Sequence, residues 1–135
     1  MHNKMLFPVA ALASEIPDKR LYLSHLVDHF YEGNEALWLD EYLTLLLSVH
    51  LILWLKYGIA LESNQQNAIL AFSVDQPLSL VMKDNDSARI LTSRFISSSK
   101  DLDLAKSQID QLIDKRILVN ADNHWLKCLL QSPYS

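Results

Sequence analysis

Ala68-Ile69-Leu70-Ala71-Phe72-Ser73-Val74-Asp75-Gln76-Pro77-Leu78-Ser79-Leu80-Val81-Met82 decides the fold class of this chain. Two short apolar runs flank Ser73–Pro77, a polar connection closed by proline, which is the pattern of a β-hairpin. Upstream the period is helical. Between Glu35 and Tyr57 the apolar positions Leu37, Trp38, Tyr42, Leu45, Leu46, Val49, Leu53 and Trp54 recur at three- and four-residue spacings, and Gly58 stands where a left-handed C′ residue belongs. Leu23, Leu26, Val27, Phe30 and Tyr31 predict an earlier amphipathic helix over 19–31, ending near Gly33-Asn34.

Downstream, Ala88–Thr92 reads as a further strand and Ser97–Lys100 as a loop. Leu102, Leu104, Ile109, Leu112 and Ile113 predict a helix over 103–114, with Asp101 or Asp103 near its N-cap, followed by the apolar piece Ile117–Val119. The expected fold is α+β, helices packed on a small antiparallel sheet, with residues 1–135 as one domain.

Composition narrows the function. Of 135 residues half are apolar and 21% are charged, which is the globular range. Twelve basic residues against sixteen acidic ones, a net charge of −4, leave no basic stripe for phosphates, so nucleic acid is not an expected partner. A lone cysteine, Cys128, makes no intrachain disulfide and fits a cytoplasmic setting. The first residues, Met1 to Pro8, do not read as a signal peptide. The longest uncharged run, Tyr42–Leu55, is shorter than the roughly 20 residues of a bilayer span and reads as a buried core helix, so no membrane partner is expected.

Two polar groups border the hairpin. Glu62-Ser63-Asn64-Gln65-Gln66-Asn67 precedes its first strand and Lys83-Asp84-Asn85-Asp86, with Arg89 beyond, follows its second. Hairpin pairing sets both at one end of the sheet, where Glu62 and Asp84 can share a magnesium ion with substrate phosphates. The plain alternatives are a solvated capping loop and a charged turn guarding a strand edge. An EF-hand is excluded, because the stretch from Asp84 to Arg89 lacks the fifth-position ligand and the sixth-position glycine.

The segment from Tyr57 through Gly58-Ile59-Ala60-Leu61-Glu62-Ser63-Asn64-Gln65-Gln66-Asn67, then the hairpin and Lys83-Asp84, resembles the aerobactin-synthetase (IucA/IucC) family of siderophore synthetases. The family pattern is Gly-Ile-x-x-Glu-x-His-x-Gln-Asn, with Arg-Asp after an apolar hairpin. The resemblance extends loosely over residues 5–120 and implies part of the C-terminal palm region. It implies ATP-dependent condensation of a citrate-type carboxylate with an amine or hydroxylamine. By this resemblance Glu62 and Asp84 take magnesium, while Glu62, Gln66, Asn67 and Lys83 contact ATP.

Two residues depart from the pattern. Asn64 occupies the motif histidine, the position expected to touch ATP and carboxylate, and asparagine neither carries positive charge nor shuttles a proton. Lys83 replaces arginine, keeping the charge without the bidentate fork. These 135 residues also contain neither the Ser/Thr-Arg phosphate-binding segment nor the His-Pro-x-His-Pro-x-x-Lys segment of the family's N-terminal half. The expectation is therefore a truncated or remnant palm that is inactive alone, working with a complementary synthetase half or as a homo-oligomer.

Other readings are weaker. A non-catalytic interaction module of the same fold is the first alternative. A winged helix built from helix 103–114, Arg116–Val119 and His124–Leu126 is the second, and its acidic helix face argues against it. His25 and His29, four apart, resemble a metal clamp but lack a third ligand and read as exposed helical histidines. His50 reads as a semi-buried hydrogen-bonded residue, Trp38 and Trp54 as core, and Cys128 as structural.

Overall fold

The computed structural model describes residues 4–61, 65–83 and 88–120. It divides into two compact units, one formed by Met1–Ser48 and Asn64–Asp84, the other by Val49–Ser63 and Asn85–Ser135. The α+β class holds among the described residues, which form helices and two small sheets.

In the first unit the hairpin pairs as expected. Strands β3 (Ala68–Phe72) and β4 (Ser79–Met82) are antiparallel, with Ala68 opposite Met82 and Leu70 opposite Leu80. A strand not anticipated from the sequence, β1 (Met5–Pro8), adds to the other side of β3, Met5 opposite Phe72 and Pro8 opposite Ile69. Proline suits this place, since β1 is an edge strand and need not donate from every residue. Central β3 is accordingly the most buried strand: Leu70 and Phe72 are sealed from water.

Helix α1 (Tyr22–Tyr31) presents Leu26 and Val27 to the same core, which Trp38 and Leu78 complete. It begins three residues later than the periodicity predicts. Lys19 takes a left-handed conformation, φ 65°, in a tight turn whose amide bonds back to the Ile16 carbonyl, so residues 19–21 are not helical. The helix ends on two left-handed residues, Glu32 and Gly33.

Helix α2 spans Glu35–Tyr57, with the Asn34 side chain accepting from the Leu37 amide as an N-cap. Gly58, at φ 70°, donates to the Trp54 carbonyl and terminates it. The expectation of a buried helix is overturned. Leu39, Leu43, Leu47, Leu51 and Leu55 are between 43% and 65% exposed, so α2 carries uncovered apolar side chains along its length. An all-round apolar helix implies burial only when something surrounds it. α2 is also long and apolar enough to cross a bilayer, but Trp38 and Trp54 are each buried in a protein core.

In the second unit, β2 (Ile59–Ala60) pairs antiparallel with β5 (Arg89–Leu91), and β6 (Leu118–Val119) lies parallel to β5. Trp54, Ala60, Leu91 and Val119 form its core. The Arg94 guanidinium sits 5.1 Å from the Trp54 ring and donates to the Trp54 carbonyl at 3.1 Å. Ser97 and Ser98, read from sequence as loop, belong to helix α3 (Thr92–Ser98). Helix α4 (Leu102–Asp110) is N-capped by Asp101, whose carboxylate accepts from the Leu104 amide at 2.9 Å. It stops short of the predicted 114: Gln111 caps it, and Ile113 is fully exposed beyond.

Candidate functional site

The open end of the hairpin joins two of the segments singled out by sequence. A short 3-10 turn, Gln65–Asn67, leads into β3, and Lys83 follows β4 directly. Because Ala68 faces Met82, Asn67 and Lys83 fall opposite one another, and the Lys83 amide donates to the Asn67 carbonyl at 2.9 Å. Lys83 is exposed and Asn67 half-buried. Glu62, Asn64 and Asp84, the remaining predicted site residues, lie outside the described residues, as does Cys128.

At the opposite end of the same hairpin the first unit holds a cleft of about 670 Å³ that sequence reasoning missed. Tyr31, Glu32, Asn34, Glu41, Asp75 and Gln76 are among its lining residues. The Tyr31 hydroxyl donates to Glu41 Oε2 at 2.8 Å, and the Ser73 hydroxyl donates to Asp75 Oδ1 at 2.7 Å. Partial burial, and then the Glu41 carboxylate, push the Tyr31 phenol well above its ordinary range, so it stays protonated as a donor. Three carboxylates without a cationic lining residue make this wall rich in acceptors. The only forewarning was the polar connection Ser73–Pro77, which reads as a connector and nothing more.

The histidine pair does not act as a clamp here. His25 Nε2 lies 3.0 Å from Asp18 Oδ2, and His29 meets Phe30 edge-on. Among the described residues no group of three or more His, Cys, Asp or Glu side chains is placed to hold a metal ion. The strand Leu118–Val119, the first part of the wing in the winged-helix alternative, is paired in parallel with β5.

Comparison with known proteins settles the family. The profile of the family described as ferric iron reductase FhuF-like transporter matches residues 36–132, most of the chain. The chain belongs to this family. Comparison with curated proteins gives no significant match. Among solved structures, it is similar to the aerobactin synthetase IucC from a hypervirulent pathotype of Klebsiella pneumoniae, with a TM-score of 0.61 and 19% identity over 78% of this chain and 19% of that one. It is also similar to the petrobactin biosynthesis protein AsbB from Bacillus anthracis str. Sterne, with a TM-score of 0.65 and 17% identity over 93% of this chain and 21% of that one. The chain thus spans about a fifth of the length of either synthetase and shares the fold of that fifth.

Proposed function

We propose that this FhuF-family chain is a palm-type segment of a siderophore synthetase, serving siderophore biosynthesis as part of a larger assembly rather than as a ligase by itself. In this reading Glu62 and Asp84 are the magnesium ligands, Gln66, Asn67 and Lys83 contact ATP, and Asn64 occupies the position of the family histidine. The observation that carries it is the Lys83–Asn67 backbone bond, which joins the two sequence segments that the motif resemblance links. The shared fold with two siderophore synthetases supports it.

The chemistry follows from charge. Adenylation of a carboxylate brings anionic phosphates toward an anionic nucleophile, and a divalent cation with a lysine offsets that repulsion. Asparagine at position 64 supplies hydrogen bonds without a proton to exchange. The phosphate-binding segments of the complete family are absent from these residues and are supplied by another polypeptide segment.

Calorimetry with Mg-ATP tests the proposal. Binding heat that strengthens in Asn64→His supports an inherited nucleotide pocket, and absence of heat in both proteins contradicts it. A second reading, a non-catalytic interaction module, is favoured by the uncovered leucines of α2.

A further inference from the structure

Two open cavities of the first unit join into one groove. The cleft at the hairpin loop, about 670 Å³, and a neighbouring one of about 390 Å³ share Glu41 and Pro77. One wall is a stripe of α2: Asn34, at its N-cap, then Leu37, Glu41, Thr44 and Ser48 follow one another at three- and four-residue spacings, so they lie on one side of the helix. At 1.5 Å per residue the stripe is roughly 20 Å long. The other wall is the hairpin loop from Ser73 to Pro77, continued by Leu78. Every lining residue belongs to the first unit.

Glu32, Asp40, Glu41 and Asp75 bring four carboxylates to this groove, and no lysine, arginine or histidine is among the described residues lining it. The surrounding unit has the same sign. It holds nine of the sixteen acidic residues and four of the twelve basic ones, so the negative charge of the chain is concentrated here. Apolar side chains lie open beside the acids: Leu37 is 46% and Val74 78% exposed. Open apolar surface rimmed by polar groups in a concave setting favours an interaction site.

We propose that the groove docks an extended, lysine- or arginine-bearing segment of another polypeptide. A basic residue suits it doubly, because its aliphatic stem covers apolar surface while its charged head reaches a carboxylate. Extended chain advances about 3.3 Å per residue, so about six residues fill the length. Opposite charge steers the encounter and selects the partner. The same carboxylates repel phosphate, which argues against nucleic acid and anionic lipid as occupants. The groove starts at the loop, the other end of the hairpin from Asn67 and Lys83, so this docking goes beyond the nucleotide reading and does not depend on it.

Fluorescence anisotropy on the full 135-residue chain without nucleotide tests the proposal, with a fluorescein-labelled hexapeptide of alternating leucine and lysine as the probe. The peptide binds, and its affinity falls severalfold from about 50 mM to about 300 mM salt. Glu32→Gln and Asp40→Asn, at exposed positions in different parts of the groove, each weaken binding about threefold, and together about tenfold. Val74→Ser weakens it about threefold with the salt dependence unchanged. Glu15→Gln, an exposed acid of the same unit outside the groove, leaves the affinity as it was, and the circular dichroism spectrum of every variant matches wild type. An unbound peptide, equal binding of a hexapeptide with glutamate in place of lysine, equal weakening by Glu15→Gln, or displacement by an equal concentration of 1,6-diaminohexane overturns the proposal.

Discussion

The Lys83 amide donates to the Asn67 carbonyl at 2.9 Å, one position beyond the Ala68–Met82 pair that ends the β3–β4 ladder. The link is made by backbone atoms, so it does not depend on either side chain. Lys83→Ala should therefore leave the backbone bond and the hairpin it closes in place. If Lys83 contacts ATP, the same variant loses nucleotide affinity while it still folds. Paired urea melts and calorimetry check both outcomes.

Gly58 is required by two independent constraints. Its φ is 70°, and a Cβ there would lie 2.9 Å from the Arg94 Cβ and 3.0 Å from the Leu91 carbonyl oxygen. The Leu91 amide also donates to the Gly58 carbonyl at 2.7 Å, tying helix end to strand. Gly58→Ala should cost more than the roughly 1 kcal/mol of a left-handed conformation alone, since neighbouring backbone must also shift. The midpoint of urea unfolding measures it.

Tyr31→Phe removes the hydrogen bond to Glu41 and should cost about 1 kcal/mol, or somewhat more because the acceptor is a carboxylate. Its pH dependence has a definite sign. Folding raises the phenol above its ordinary value of 10, so above that pH the unfolded chain releases a proton that the folded chain retains. The contribution is fully present below pH 10 and is lost as pH rises further. The stability difference between wild type and Tyr31→Phe should shrink over that range in denaturation series run at alkaline pH.

Asp101 accepts from the Leu104 amide at 2.9 Å and satisfies one of the free donors at the start of α4. Asp101→Ala should destabilise by about 1 kcal/mol and Asp101→Asn by much less, because asparagine also caps well. Thermal melts of the two variants distinguish capping from simple charge removal.

The ends of α2 were legible because local chemistry marks both: Asn34 caps one and Gly58 the other. The hairpin was legible for the same reason, its turn residues separating two apolar runs. β1 was not, because its partner β3 lies some sixty residues away and non-local pairing leaves no local mark. Residues Ser97 and Ser98 misled the reading of α3. Their hydroxyls donate to the Arg94 and Phe95 carbonyls, bonds that let serine sit inside a helix turn instead of breaking it. The exposure of the α2 leucines was invisible in the pattern, since apolar residues all round a helix look the same whether or not a neighbour covers them. At the candidate site, the hairpin end that unites Asn67 with Lys83 was anticipated from strand pairing, while the acceptor-rich cleft at the other end depends on α1, α2 and the hairpin loop meeting in three dimensions.

The most direct measurement is Mn²⁺ paramagnetic resonance, in the presence of ATP, on the wild type, Glu62→Ala and Asp84→Ala. The account predicts a bound manganese–nucleotide signal in the wild type, lost to a similar degree in each variant while the circular dichroism spectrum is unchanged. Retention of the full signal in either variant would contradict it.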